Sequence, residues 1–204
     1  LQASSGQPQV ARLHLRTRHK DAKWSGLGHA KTRANDDTLG RWTVLKINAL
    51  DQFASEVSST VRRYKPSLIT ARNLYAQVAI NPRAEVWYAQ ALENSLANYD
   101  FTAIMAMPYM EQASDPIAFQ KRILSGIGRF PSARNRIVFE LQTVDWRYNQ
   151  KPIPVDEIVA TVGMLYDAGV SHIAYYPDML FDSHPDAAKM RGVFSRQPND
   201  PPMN

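Results

Sequence analysis

Cysteine is absent from this 204-residue chain, which excludes disulfides, thiolate nucleophiles and cysteine-ligated metals. Also absent is any apolar run of the ~18 residues that a membrane-spanning helix requires. No G-x-G-x-x-G or P-loop follows an apolar segment, so the usual phosphate cradles are excluded. The histidines are scattered and no H-E-x-x-H occurs, so no metal and no cofactor is expected. Without a G-x-S-x-G elbow, a Ser-His-Asp site has no support either. Leu1 opens a polar stretch rather than a signal pattern, so a signal is expected to be absent or removed upstream.

What is present is a chain of ordinary hydrophobic content, 44%, sufficient for one domain with a real core. The net charge of +5 is uneven. Residues 1–40 hold seven Lys or Arg against three Asp, together with His14, His19 and His29, whereas the remainder is nearly balanced. Such an arm suits an anionic polymer, but a solvated tail is the commoner outcome. Trp24 is its single aromatic, so base stacking and nucleic-acid binding are not expected.

Four apolar runs each break off into polar or aromatic residues: Leu68–Asn73, Phe101–Tyr109, Arg136–Gln142 and His172–Asp178. Before the first, Leu45, Leu50, Phe53, Val57 and Val61 recur at helical spacing and predict an amphipathic helix ending near Pro66. The pattern continues as strand 68–76, helix 84–98, strand 101–107, helix 116–128, strand 136–142, helix 155–168 and strand 172–178, with Gly169 closing the last helix. Beyond Met190 the composition reads as coil. Alternation of this kind implies parallel strands joined by right-handed crossovers. Without a Gly-rich nucleotide loop, a barrel is favoured over a doubly wound sheet. The expected fold is α/β: four parallel strands with intervening helices, the C-terminal half of a (β/α) TIM-like barrel. The expected organisation is a basic segment 1–40, the partial barrel 41–194 and a coil tail 195–204.

Side-chain alternation predicts which residues face the barrel mouth. In 136–142 the apolar set Ile137, Phe139 and Leu141 faces the helices, leaving Glu140 and Gln142 inward. In 172–178, Ile173 and Tyr175 take the helix side, and Tyr176 and Asp178 point inward. In 68–73, Ile69 and Ala71 are read as outward, leaving Thr70 and Arg72 inward. Glu140, Asp145 and Asp178 then supply carboxylates near one rim, the groups that glycoside hydrolysis requires. Tyr109, Trp146 and Tyr176 supply flat faces for a pyranose. Bland readings stand beside these: a structural Glu140–Arg72 ion pair, Tyr176 as core packing, and Asp145 as an exposed turn residue.

The segments Thr70–Asn73, Tyr99–Tyr109, Phe139–Gln142 with Asp145-Trp146, and Tyr175–Asp178 together resemble one family. It is the C-terminal glycoside-hydrolase-like domain of bacterial poly-β-1,6-N-acetyl-D-glucosamine N-deacetylases, which are biofilm exopolysaccharide export proteins. The resemblance runs from about Arg41 to about Phe194. It implies a barrel that binds and cleaves the partly deacetylated polymer, attached to a metal-dependent deacetylase domain, in an envelope protein of the periplasm or outer membrane. Carried over by motif, Arg72, Asn73, Tyr109, Glu140, Trp146, Tyr176 and Asp178 line the glycan groove. The family's acid-bearing Phe-His-Asp-Asp-type motif does not occur here, and Asp36-Asp37 reads as polar coil without the apolar strand before it. The implied partners are therefore the polymer, the N-terminal part of the barrel and the deacetylase domain. The leading expectation is an incomplete poly-β-1,6-N-acetylglucosamine hydrolase with Glu140 as its best carboxylate. The alternative is a non-catalytic glycan-binding remnant.

Overall fold

The computed structural model describes residues 34–195, with side chains from Thr38 onward; most of the basic segment and the tail 196–204 lie outside the described residues. Helix α1 (Ala34–Arg62) leads into strand β1 (Ala71–Tyr75) and the short helices α2 (Ala76–Ile80), α3 (Glu85–Tyr88) and α4 (Leu92–Asn98). Strand β2 (Phe101–Ala106), helix α5 (Pro116–Ile127) and strand β3 (Ile137–Gln142) follow. A two-stranded excursion, β4 (Val144–Asp145) with β5 (Lys151–Pro152), precedes helix α6 (Val155–Asp167), strand β6 (His172–Tyr176) and helix α7 (Ala187–Phe194). The main sheet has the order β1-β2-β3-β6 and every pairing in it is parallel. This is the expected half-barrel arrangement.

Three differences from the sequence reading have local causes. The helix expected over 84–98 is broken, because Ala89 takes a positive φ of 51° and ends α3. The coil expected after Met190 is the second half of α7, which Asp186 caps by accepting a hydrogen bond from the Lys189 amide at 2.8 Å. Asp36-Asp37 lies inside α1, not in coil.

One face of the sheet is buried against the helices and the other is not. Leu74, Ile104 and Phe139, register neighbours across β1, β2 and β3, are fully buried on the helix side. They pack with Phe119, Ile123 and Ile127 of α5 and Ile158, Val162 and Leu165 of α6 in one hydrophobic cluster. Burying side chains of this size stabilises by about 1.5–3 kcal/mol each. Polar ties fix the strand entrances: Asp100 accepts from the Thr70 amide at 2.7 Å, the Thr70 hydroxyl at 2.8 Å and Arg62 at 3.1 Å.

Helix α5 approaches the backbone of α2 closely at Gly126. A Cβ there would lie 2.1 Å from the Ala79 carbonyl oxygen, which already accepts from Arg129 at 3.2 Å. Gly126→Ala is therefore expected to destabilise by about 1–3 kcal/mol through overpacking. Gly192→Ala in α7, where a Cβ meets nothing within 4 Å, is expected to stabilise by up to about 1 kcal/mol. Thermal melts of the two variants should move in opposite directions; shifts of the same sign would contradict the close approach.

Candidate functional site

The site is built on the face of the sheet that the helices leave open. Since Ile137, Phe139 and Leu141 are buried on the helix side, strand alternation sends Glu140 the other way. Its register neighbours are Met105 on β2 and Ala174 on β6. Tyr75, opposite Met105 on β1, ends that row. The Glu140 Oε2 atom is buried and has no hydrogen-bond partner among the described residues. Burial holds its carboxyl above the usual carboxylate range. A carboxyl that is desolvated and unpaired is suited to carrying a proton and donating it.

Arg72 does not join it. The register sets Arg72 opposite the buried Thr102, on the helix side of β1. There its Nη1 donates to the Tyr99 hydroxyl at 2.8 Å and lies 3.6 Å from Asp51 of α1. The guanidinium also stands 5.5 Å from the Tyr99 ring. The expectation of an inward Arg72 therefore fails, and a Glu140–Arg72 ion pair is not formed. The cause is Ile69, an exposed residue that precedes the strand and so does not mark its outward face. Asn73 is on the open face of β1 with Ala71 and Tyr75, and all three are exposed.

The rim beyond the strands brings together several expected residues. Trp146 and Tyr176 approach with ring centroids 6.2 Å apart and planes at 33°, and Tyr176 is 55% exposed. Asp178 is exposed just past the cis Tyr176–Pro177 bond. The Tyr175 phenol is held above its ordinary value, first by burial and then by the charge of Asp178. Asp145 is neither an exposed turn residue nor a free carboxylate. It is 7% exposed and accepts from the Arg147 amide at 3.0 Å, Nε at 2.9 Å and Nη2 at 2.7 Å. These bonds hold its carboxyl below the usual carboxylate range.

Tyr109 donates its hydroxyl to Glu157 at the start of α6. Burial, then that bond, pushes the phenol up to about 12. Its ring and that of Tyr148 each lie 5.4 Å from the Arg147 guanidinium. Tyr109, Gln120, Gln142, Glu157 and Thr161 line a small pocket on the helix side of the sheet, which has room for about one water. Gln142, expected to face inward with Glu140, lines this pocket instead. Gln142 is locked by backbone: its Oε1 accepts from the Met110 amide at 3.1 Å and its Nε2 donates to the Val144 carbonyl.

Sequence reasoning missed other members of the rim. Tyr75 stacks on Tyr88 with centroids 4.4 Å apart, and Gln90 clasps β1 through the Asn73 carbonyl and the Tyr75 amide, both at 3.1 Å. Placing the start of β1 at Ala71 would have revealed Tyr75 by parity with Asn73. His184 ties two loops together, its Nε2 lying 2.8 Å from the Thr143 carbonyl; no sequence pattern marked it. Among the described residues, no group of three or more His, Asp or Glu is arranged to hold a metal.

Comparison with known proteins bears on the family and the fold. The model of hypothetical glycosyl hydrolase family 13 matches residues 14–176. Poly-beta-1,6-N-acetyl-D-glucosamine N-deacetylases of Escherichia coli K12 and O157:H7 are each 33% identical over 184 residues. That match covers 88% of this chain but spans only 27% of each relative. Among solved structures, the PgaB (BpsB) glycoside hydrolase domain from Bordetella bronchiseptica superposes with a TM-score of 0.75 at 36% identity, over 81% of this chain and 47% of that one.

The Asp145–Arg147 pair has a testable pH signature. A carboxyl whose folded-state pKa is depressed adds stability that is fully present above the unfolded value, about 4. That stability is lost as pH falls through the depressed value. Asp145→Asn is expected to lower stability at neutral pH, with the difference from the parent shrinking below about pH 4. Denaturant melts across this range measure it; curves that stay parallel into the acid limb would show that the pair contributes nothing.

Proposed function

The chain belongs to hypothetical glycosyl hydrolase family 13, and from that premise we propose that it binds partly deacetylated poly-β-1,6-N-acetyl-D-glucosamine along the open face of its sheet. Residues 41–194 form the glycan-processing unit of this reading, a part of a biofilm polysaccharide-processing protein of the cell envelope. No described helix is long and apolar enough to cross a membrane. The observation that carries the reading is the unpaired, desolvated Glu140 carboxyl on the same side of the sheet as the Trp146–Tyr176 aromatic pair.

The roles follow from the chemistry. Trp146 and Tyr176 offer apolar faces to the C–H side of a sugar ring. Asn73 and Asp178 stand at the margins as hydrogen-bonding groups. Tyr109 and Asp145 support the rim through Glu157 and Arg147 rather than offering free polar groups. Arg72, on the helix side, is a structural residue in this reading. Glu140 stands where cleavage would call for a proton donor to the glycosidic oxygen. Hydrolysis also needs a second carboxyl about 5–5.5 Å away for retention or about 6.5–9.5 Å away for inversion. Asp145 is committed to Arg147, Asp178 does not match the motif that carries the family's acid, and that motif does not occur in this sequence. The chain therefore holds the glycan without cleaving it.

Two measurements check this. Titration of the full chain with partly deacetylated polymer should show binding that Trp146→Ala weakens about three- to tenfold, the scale of one aromatic contact. Prolonged incubation should release no shorter oligosaccharides. Products that disappear in Glu140→Gln would mean that a complete hydrolytic site is present, and undetectable binding would remove the glycan reading altogether.

A further inference from the structure

The loop that follows β6 closes on itself. The Met179 amide donates to the His184 carbonyl at 2.8 Å, and the His184 amide donates back to the Met179 carbonyl at 3.2 Å. Within that bridge the Asp182 amide donates to the Met179 carbonyl at 3.0 Å, and Ser183 turns the chain with a φ of 51°. Residues 179–184 are therefore a small unit held in shape by their own backbone. The Leu180 and Phe181 side chains are exposed, so they do not seat this unit on the described core.

A polar contact from His184 seats it instead. Its Nε2 lies 2.8 Å from the Thr143 carbonyl oxygen. A carbonyl only accepts, so Nε2 is assigned as the ring nitrogen that carries the proton. Thr143 is fully buried just past the end of β3. The same oxygen accepts from the Ile153 amide at 2.9 Å, which fixes the return of the β4–β5 excursion that presents Trp146. On its other side, the Thr143 amide donates to the Tyr176 carbonyl at 3.1 Å and its hydroxyl donates to the Pro177 carbonyl. Thr143 is thus shared by the segment that carries Trp146, the strand end that carries Tyr176 and the closed loop just past Asp178.

We propose that His184 is a positioning residue for glycan binding: by pinning the closed loop to Thr143, it holds Tyr176 and Asp178 in place opposite Trp146. This role rests on the glycan reading of the Trp146–Tyr176 pair. The two rings stand 6.2 Å apart on separate segments, so their spacing is inherited from the backbones beneath them. The Thr143 amide and hydroxyl hold the end of β6 as far as Pro177. Beyond Pro177 the chain leaves the sheet, and the His184 bond supplies a second fixed point. Without it, residues 178–184 are free to turn as a unit, which displaces Asp178 and tilts Tyr176. His184 touches no sugar in this account. Its effect passes through Thr143, and it consists in keeping the rim ordered before the ligand arrives.

The Thr143 carbonyl keeps its bond from Ile153 when the imidazole is removed, so no buried acceptor is orphaned and His184 variants are expected to fold. His184→Ala should weaken binding of partly deacetylated polymer to the full chain about three- to tenfold, the scale of losing one aromatic contact. His184→Gln, whose side-chain amide still donates, should bind within about twofold of the parent. Combining His184→Ala with Trp146→Ala should weaken binding no further than Trp146→Ala alone, because both act on one contact. A readout without glycan runs alongside: acrylamide quenching of the Trp146 emission, taken in each chain as the difference from the same chain carrying Trp146→Phe. Quenching should rise in His184→Ala and return to the parent level in His184→Gln. His184→Leu keeps bulk without a donor and replaces the alanine variant if that one fails to fold. Losses that multiply in full, a glutamine variant as weak as the alanine one, or quenching unchanged in His184→Ala would each overturn the role of His184. A parent chain that binds no polymer yet shows the expected quenching would instead remove the glycan reading and leave His184 as the brace of the aromatic pair.

Discussion

The structure turns on strand β3 lying between β2 and β6. A strand with neighbours on both sides cannot rotate, and its side chains must alternate between faces. Ile137, Phe139 and Leu141 are each 3% exposed or less against the helices, so slipping by one residue would expose three core side chains and bury a carboxylate among them. The cost of that slip, several kcal/mol for the apolar residues alone, is what aims Glu140 at the open face. The candidate acid is therefore positioned by hydrophobic burial on the other side of the sheet and not by any polar partner of its own, which leaves Oε2 free.

The loops at the strand ends follow a different rule: they are held mainly by hydrogen bonds to backbone. The Thr143 amide donates to the Tyr176 carbonyl at 3.1 Å, and the Thr143 carbonyl accepts from the Ile153 amide at 2.9 Å. The same carbonyl lies against His184 Nε2, and the Thr143 hydroxyl donates to the Pro177 carbonyl. One buried threonine thus links the ends of β3 and β6 with the β4–β5 excursion. These ties set the spacing of Trp146 and Tyr176, which belong to different loops. Asp145 serves the same end, since its bonds to Arg147 brace the turn that presents Trp146. A rim fixed in this way is preorganised, so ligand binding does not have to order it.

Much of this was legible in the sequence, and the failures have identifiable causes. Strands β2, β3 and β6 and helices α5 and α6 fall within about two residues of their expected bounds, helped by boundary residues such as Asp115-Pro116 at the start of α5 and Gly169 after α6. Parity placed Glu140 and Tyr176 correctly, because each alternates with buried or half-buried apolar residues. It misplaced Arg72 because β1 is only five residues long and its polar helix-side member is satisfied by Tyr99 and Asp51, partners remote in sequence. The pairing of Asp145 with Arg147 was also hidden: two residues apart, the charges read equally well as a solvated turn. His184 and the Tyr75–Tyr88 stack depend on loop geometry for which no periodicity exists.

The apolar side of α1 shows the same limit from the opposite direction. Leu45, Leu50, Phe53, Val57 and Val61 have the spacing of a core-facing helix, and the helix forms where that spacing expects it. The residues it buries are instead Thr43 and Ile47, while Asp51 turns towards Arg72 and Asn94. Periodicity reports that a helix has an apolar side; it does not report which surface that side meets. A stripe of this size in contact with water is costly at about 25 cal/mol per Å². The edges of β1 and β6, unpaired among the described residues, add backbone groups that water satisfies but that another strand satisfies equally well. The described residues therefore have a well-packed layer between sheet and helices, and a second set of surfaces shaped for burial. Any account of function has to include what those surfaces meet, because Glu140 lies on the open face of the same sheet.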